Sequence, residues 1–446
     1  MKSLSVERLV RALAALLCVA VVPGLATSYV SNSAGDWATP TIWTPNGLPG
    51  ASDNVTINHA VTMAAAQSVN AITIGASGSF APGAGINLNV AGDWTNNGTF
   101  IEGTSTVTFN DSSTIGGSST HQFYTVNVTG NLRAPTADMT VKGDWNCTGK
   151  FRHGAGRMVF CGSSLITGGA QFLNVDINNT SDGNVTVTGG LNVGESLKVI
   201  SGTLLLGTNT LTLGGVIRTG ELFVSGTFSV LGTGPTATGK VVAATAGFPY
   251  ELVVLPGGTI AARYAEFTGM DTSGVVISSG ALVDAADNFS NCAFDHGAAA
   301  RGPMLKIEND QVIDDMADIS FTGTAGSNIE KLGATGHVTV NGGSGNRWGD
   351  DFESDPNSLV DWEGGGVEEA LGVAARATDA ATVVRGVLRL PVSLFTIHTS
   401  LFDMTGRQVM ALHPGANDVS HLALGVYLAK PSGESLAGSQ KFVVQR

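Results

Sequence analysis

Most of the chain reads as short runs in which apolar and polar residues alternate. Residues 55–57, 61–63, 106–109, 124–128, 184–187, 204–206, 211–213, 275–278 and 338–340 are examples. Alternation with a period of two marks strands buried on one face. Gly, Asn, Asp or Ser stands between the runs, supplying turns and positive φ. Helix-period segments are nearly absent before Val367. Strands this short, joined this tightly, suit a sandwich, a propeller or a solenoid. The Asn-Gly and Asp-Gly hairpin signals that a sandwich expects are sparse. Phrases such as SGTLLLGTNTLTLGG (201–215) fit stacked coils better. One coil cannot bury its inner face alone, so each must lie on the next.

Self-similarity supports stacking. GDWTNNGTFIEGTSTVTF (92–109) returns as GDWNCTGKFRHGAGRMVF (143–160), 51 residues later. Asp93/Asp144, Trp94/Trp145, Gly98/Gly149, Phe100/Phe151, Gly103/Gly154 and Phe109/Phe160 correspond, and Ile115 meets Ile166. HQFYTVNVTG (121–130) then matches AQFLNVDINN (170–179) with a two-residue slip. The repeated unit is 92–142 and 143–190. Trp94 and Trp145 recur at one repeat position, which reads as an aromatic ladder inside the stack. Trp37 and Trp43 read as a cover for the open first coil, which needs a cap against edge pairing.

Composition sharpens this picture. Of 446 residues 60 are Gly, and only 13% are charged, about half the usual ~25%. Low charge with 43% hydrophobic residues is not the signature of disorder. Gly without a three-residue period excludes collagen. The net charge of −13 argues against nucleic acid, which requires a basic face.

The N-terminus has the layout of an export signal. Lys2, Arg8 and Arg11 precede an apolar run over 12–22, and Gly24-Leu25-Ala26 places small residues before a cleavage point after Ala26 or Ser28. The run is too short to span ~30 Å of hydrocarbon. Without 1–26, 20 basic and 35 acidic residues remain, a net charge of −15. No later run of 18 apolar residues exists, so no transmembrane segment is expected in the mature chain. Cys147, Cys161 and Cys292 remain, with no CxxC pair to suggest zinc. Cys147 and Cys161 read as small buried positions, a bridge between them being the alternative.

These features carry two resemblances. GDWATPTIWTPNGLPGASDNVTI (35–57), the GDW block and ARYAEFTGMDTSGVVISSGALVDAADNFSNCAFDHG (262–297) resemble bacterial β-helical surface proteins. The resemblance implies an all-β chain with a right-handed parallel β-helix over 27–364, about 15 coils of ~22 residues. After a Gly-rich break and a linker at 365–382, residues 383–446 resemble the C-terminal type A sorting domain of type IX secretion substrates. The matching residues are Leu401-Phe402-Asp403 with Thr405-Gly406-Arg407, then Gly425-Val426-Tyr427-Leu428, then Lys441-Phe442-Val443-Val444. An Asn-Pro near the domain start, common in that family, is missing. The resemblance implies a small immunoglobulin-like β-sandwich. Its motif residues would be Asp403, Gly406, Arg407, Gly425, Tyr427 and Lys441, and its partner the type IX machinery. It also implies a secreted, extracellular or outer-membrane-surface location. The last strand is expected to lie open to a receptor.

Candidate chemistry is sparse. HExxH, GxSxG, Walker and GxGxxG motifs are missing, and the eight His are scattered singly. Asp284, Asp287 and Asp295, with His296 adjacent, could supply the paired carboxylates of a glycosidase or lyase from neighbouring coils. Only Arg263 and Arg301 stand near them. Asp350, Asp351, Glu353 and Asp355, and a second cluster of Asp310, Asp314, Asp315 and Asp318, are the candidates for calcium, without EF-hand spacing. A solvated acidic loop is the simpler reading, with no cofactor. The expectation is a non-enzymatic passenger, adhesin-like or structural, with glycans as its candidate ligands. The alternatives are a polysaccharide lyase or glycoside hydrolase on a β-helix, and a glycan-binding module.

Overall fold

A computed structural model describes residues 26–180, 183–296, 302–324, 326–363, 382–385, 387–390, 399–403, 405, 407–413, 415–431 and 440–445. Among these, the helical pieces are two 3-10 turns, Pro40–Ile42 and Asp350–Phe352; nearly everything else is strand. The chain winds as a parallel β-solenoid of about fifteen turns. At ~4.8 Å per turn the stack is roughly 70 Å long.

Each early coil lays down three strands on three faces. The first face carries Asn54–Ile57, Ala71–Ile74 and Trp94–Asn96. The second carries Ala60–Met63, Ser79–Pro82 and Thr99–Phe100, then His121–Phe123 and Met139–Val141 in later coils. The third carries Gln67–Val69, Asn87–Val90 and Thr106–Phe109. From Gln171 onward, long strands such as Gln171–Asn178 and Leu191–Ser201 run through the corner between the first two faces. Those faces thereby merge into one 17-stranded sheet, while the third stays a separate 11-stranded sheet. Inward positions stack in columns. Leu88, Val107, Val126 and Trp145 pair in succession, each nineteen residues after the last, and all are buried. Burial of these columns from every face is the main stabilising term.

The N-terminal cap is as the sequence implies. Trp37 and Trp43 are each 1% exposed and meet edge to face at 5.1 Å. Trp43 Nε1 donates to the Trp37 carbonyl at 2.9 Å, and Trp43–Thr44 closes the first strand in antiparallel fashion. Asp53, from the opening motif, fixes the same end. Its Oδ1 accepts the Thr27 amide and its Oδ2 the Gly50 amide, both at 2.8 Å.

The duplication is exact in chemistry but not in place. Asp93 Oδ1 accepts the Thr114 amide, and Asp144 Oδ1 the Leu165 amide, each at 2.9 Å and each 21 residues on. Trp94 meets Phe100 at 4.8 Å and 76°, and Trp145 meets Phe151 at 4.9 Å and 77°. Trp94–Phe123 and Trp145–Phe172 lie at 5.2 and 5.6 Å, and Phe109–Phe123 and Phe160–Phe172 at 6.2 and 6.0 Å. Yet Trp94 pairs with Ile72 and Ile115 on the first face, whereas Trp145 pairs with Val126 and Ile166 on the third. This corrects the expected ladder: the two Trp share no column. With coils of nineteen to twenty-one residues, 51 residues are about two and two-thirds turns. The second copy therefore starts one face back, and each copy builds its own aromatic quartet.

Close stacking accounts for conserved turn chemistry within the chain. A Cβ on Gly149 would fall on the Gly130 carbonyl, and one on Gly98 on those of Gly75 and Gly78. Only Gly lets backbones approach this closely.

The last described coil strand, Val360–Glu363, pairs in parallel with Val338–Ser344. Residues 1–25, where the export signal is read, lie outside the described residues, as do residue 364 and 365–381 of the expected linker. The strand Thr382–Arg385 begins within the range read as linker. The C-terminal strands form a five-stranded and a two-stranded sheet around Leu388, Leu401, Leu412, Tyr427 and Phe442. This agrees with a small immunoglobulin-like sandwich. One expectation is overturned. The final strand, Gln440–Gln445, is not open: it pairs in parallel with Thr382–Arg385 and antiparallel with Gly425–Pro431. A terminal strand with unpaired edges would leave its amides and carbonyls without partners, and pairing on both sides satisfies them.

Candidate functional site

The carboxylates named from sequence do not converge. Asp284 and Asp287 lie on Leu282–Asn288 of the third face, and Asp295 on Ala293–Asp295 of the merged sheet. Asp284 Oδ1 accepts the amides of Ala286 and Asp287, at 2.9 and 3.0 Å. Asp287 faces the Arg263 guanidinium at 3.2 Å. Arg301 lies outside the described residues.

The structure gathers a different set. Glu221 and Glu251 are direct partners on adjacent strands, and Asp271 follows at the bulge opposite Glu251. Burial raises the Glu251 carboxyl above its usual range, and the charges of Asp271 and Glu221 push it further. Burial also raises Asp271, opposed by the backbone amides of Ser273 and Gly274 and by His296. His296 is 2% exposed, and its Nε2 donates to the Gly302 carbonyl at 2.8 Å, while its Nδ1 has no partner among the described residues. Burial lowers this imidazole, against the pull of the Gly302 and Pro303 carbonyls and of Asp295 and Asp271. This column was missed because its members are 30 and 20 residues apart, spacings that mean nothing until the coil lengths are known. It offers groups able to carry protons. Among the described residues, the charges acting on Glu251 and Asp271 include no Lys or Arg.

The calcium candidates serve the fold. Asp355 accepts the amides of Leu359, Val360 and Asn357. Glu353 accepts Trp362 Nε1 at 2.6 Å, which helps hold Trp362 against Trp348 at the end of the rod. Asp350 and Asp351 open the 3-10 turn. In the second cluster, Asp310 Oδ1 accepts the Thr335 amide and Asp315 Oδ1 the Asn341 side-chain amide, while Asp314 faces His337. No group of three or more His, Cys, Asp or Glu among the described residues is placed to hold a metal ion.

Cys147, Cys161 and Cys292 are free thiols. Burial pushes Cys292 up to about 12, which suits an unreactive packing residue. Trp94 and Trp145 are 1% and 0% exposed and so unavailable for stacking on sugars. A recess lined by Pro135, Phe151, His153, Arg157 and Leu173 among others has room for about one water molecule and none for a sugar ring.

In the C-terminal unit, Asp403 organises the hairpin between Thr399–Asp403 and Gln408–Leu412. Its Oδ1 accepts from the Thr405 amide and hydroxyl and the Arg407 amide, and its Oδ2 from Arg407 Nε at 3.1 Å. Tyr427, 6% exposed, donates its hydroxyl to the Ala423 carbonyl at 2.7 Å. Gly425 starts that strand, and Lys441 pairs with Leu428 on the next. Gly406 lies outside the described residues.

Among the described residues, no helix is long and apolar enough to cross a membrane. The fold defines the class, a parallel β-solenoid. No protein-family model matches the chain, and no curated protein or solved structure matches it.

Proposed function

We propose that this is a secreted or cell-surface β-helical passenger, adhesin-like or structural, whose C-terminal unit directs export through the type IX pathway. One observation supports contact through the outer surface. The solenoid interior is filled: inward side chains from Val55 to Val340 are almost wholly buried in one continuous core. Contacts with anything outside must then fall on the long outer faces. Cleavage after Ala26 suits this reading better than cleavage after Ser28. Thr27 and Ser28 belong to the first coil, where Ser28 pairs with Asn54 and the Asn54 amide donates to the Thr27 carbonyl at 2.9 Å. The sorting role rests on the resemblance of 383–446, whose Asp403–Arg407 turn and Tyr427 are ordered by their own hydrogen bonds.

Deleting residues 383–446 is expected to abolish surface display, with the passenger held inside the cell. Fractionation and surface proteolysis of whole cells check this, and undiminished display defeats the sorting assignment. The column of Glu221, Glu251 and Asp271 favours a second reading, a carbohydrate-active enzyme. Release of reducing sugar by the purified chain, lost in Asp271→Asn, would establish that reading instead.

A further inference from the structure

The three faces differ in charge. Nine consecutive strands of the third face contain no Asp, Glu, Lys, Arg or His: Gln67–Val69, Asn87–Val90, Thr106–Phe109, Thr125–Val128, Trp145–Cys147, Ser164–Thr167, Asn184–Thr188, Thr203–Leu205 and Thr227–Leu231. From the fifth of these coils onward the other faces carry Arg133, Lys150, Arg152, Arg157, Asp176, Glu195, Lys198 and Glu221, whereas in the first four coils their strands also lack Asp, Glu, Lys and Arg. The outward residues of the neutral face form a register-matched column: Ser68, Asn89, Thr108, Asn127, Asn146, Thr167 and Thr188.

This column is bonded from coil to coil. Asn146 Nδ2 donates to Asn127 Oδ1 at 2.9 Å, and Asn127 Nδ2 to Thr108 Oγ1 at 3.4 Å. Thr108 donates to Asn87 Oδ1, Asn87 to Asn89 Oδ1 and Asn89 to Ser68 Oγ, each at 3.0 Å. Thr167 and Thr188 share a bond of 2.7 Å. A primary amide has two N–H donors and two acceptor lone pairs. Asn127 spends one of each within the column and keeps one of each, partly exposed. The side chains are therefore fixed before anything binds, which removes part of the ordering cost of association.

We propose that this face is a docking surface for an extended, uncharged polysaccharide lying along the rod; the proposal rests on the surface-passenger reading above. Charge selects the occupant. Nucleic acid needs a basic face, and an anionic membrane surface a basic or apolar one. A protein interface centres on aromatic or Arg anchors, and here Trp145 points inward while Leu165 is the strongly exposed apolar side chain. A neutral sugar chain needs what the face offers: donors and acceptors repeated every ~4.8 Å, with each weak contact multiplied along the stack.

The test is affinity electrophoresis of the full chain in gels containing hydroxyethyl cellulose, with alginate as the anionic comparison. Retardation is expected in hydroxyethyl cellulose and not in alginate. Asn127→Lys with Asn146→Lys should weaken retardation about tenfold or more. Asn127→Leu with Asn146→Leu, which adds no charge, should weaken it by a smaller factor. Thr140→Lys on the second face should behave as the unsubstituted protein. Circular dichroism establishes that each variant is folded, and the leucine pair decides the matter where the lysine pair is not. No retardation of the unsubstituted protein, equal retardation by alginate, or folded third-face variants that bind undiminished would overturn the proposal. So would shaping of ice crystals without retardation by the glucan. A protein displayed at the surface but not retarded defeats this inference alone, whereas loss of the export result leaves the gel result standing.

Discussion

Trp145→Ala is expected to cost about 3–5 kcal/mol of stability, the range for truncating a large buried aromatic. The indole is fully buried and packs edge to face on Phe151 and Phe172. No neighbouring coil can collapse into the space without breaking its parallel register with Val126 and Ile166. Trp94→Ala should cost a similar amount, because its quartet has nearly the same geometry. The quartets share no residue, so the double variant should lose close to the sum of the two single losses. Denaturant unfolding followed by circular dichroism measures all three. A loss under 1 kcal/mol for either single variant would contradict the packing described. Strong non-additivity would mean that the two quartets are energetically coupled through the coils between them.

The second large effect concerns a charge that the coils have buried. Asp176 has 7% of its side chain exposed, and its Oδ2 lies 2.9 Å from Arg157 Nη1. Arg157 also holds Asp138 at 2.8 Å, so one guanidinium clamps three successive coils. Arg157→Met leaves the Asp176 carboxylate buried with only the more distant Lys198 to oppose its desolvation. The expected loss is about 3 kcal/mol at pH 7, the low end for breaking a buried pair, since Arg157 itself is half exposed. Burial already holds the Asp176 pKa above its ordinary value, against the pull of Arg157 and Lys198. Removing Arg157 raises it further. The penalty is then full above the folded-state pKa and fades as pH falls toward the unfolded value near ~3.9, where both states are protonated. The gap between variant and parent should therefore narrow from pH 7 to pH 4. Adding Asp176→Asn should recover most of the loss at pH 7. A gap that stays constant with pH would show that Asp176 is not the source.

Alternation and Gly-rich turns made the coils legible before any coordinates, and the GDW repeat exposed the duplication. The motif carried its local contacts with it. Asp93 and Asp144 cap the next coil alike, and the Trp–Phe spacings reproduce the same quartet. Local sequence could not say on which face each copy begins, since that depends on the ratio of repeat length to coil length. The same ratio hid the column of Glu221, Glu251 and Asp271, and it separated Asp284 and Asp287 from Asp295. For acidic clusters such as Asp350 to Asp355 the sequence offered both a cation site and a solvated loop, because a carboxylate that binds a cation and one that caps backbone amides look alike in sequence. Only the positions of the Leu359 and Val360 amides distinguish the two.

The opposite holds for charge. Its scarcity is visible in the composition, and stacking gives it a reason: like positions fall on one another every ~4.8 Å, where repeated charges would repel. By itself, then, the sequence determined the β-solenoid, its Trp-capped start and the repeat of the GDW motif. The tertiary structure decided which residues share a face: the neutral Asn/Thr column on one, the acidic column on another. It also decided that the final strand is paired on both sides. The physical reason is that alternation and turn chemistry act within one strand and its turn. Neighbours across the stack are set by coil lengths of nineteen residues or more, and those lengths exist only once the chain has closed each turn upon the last.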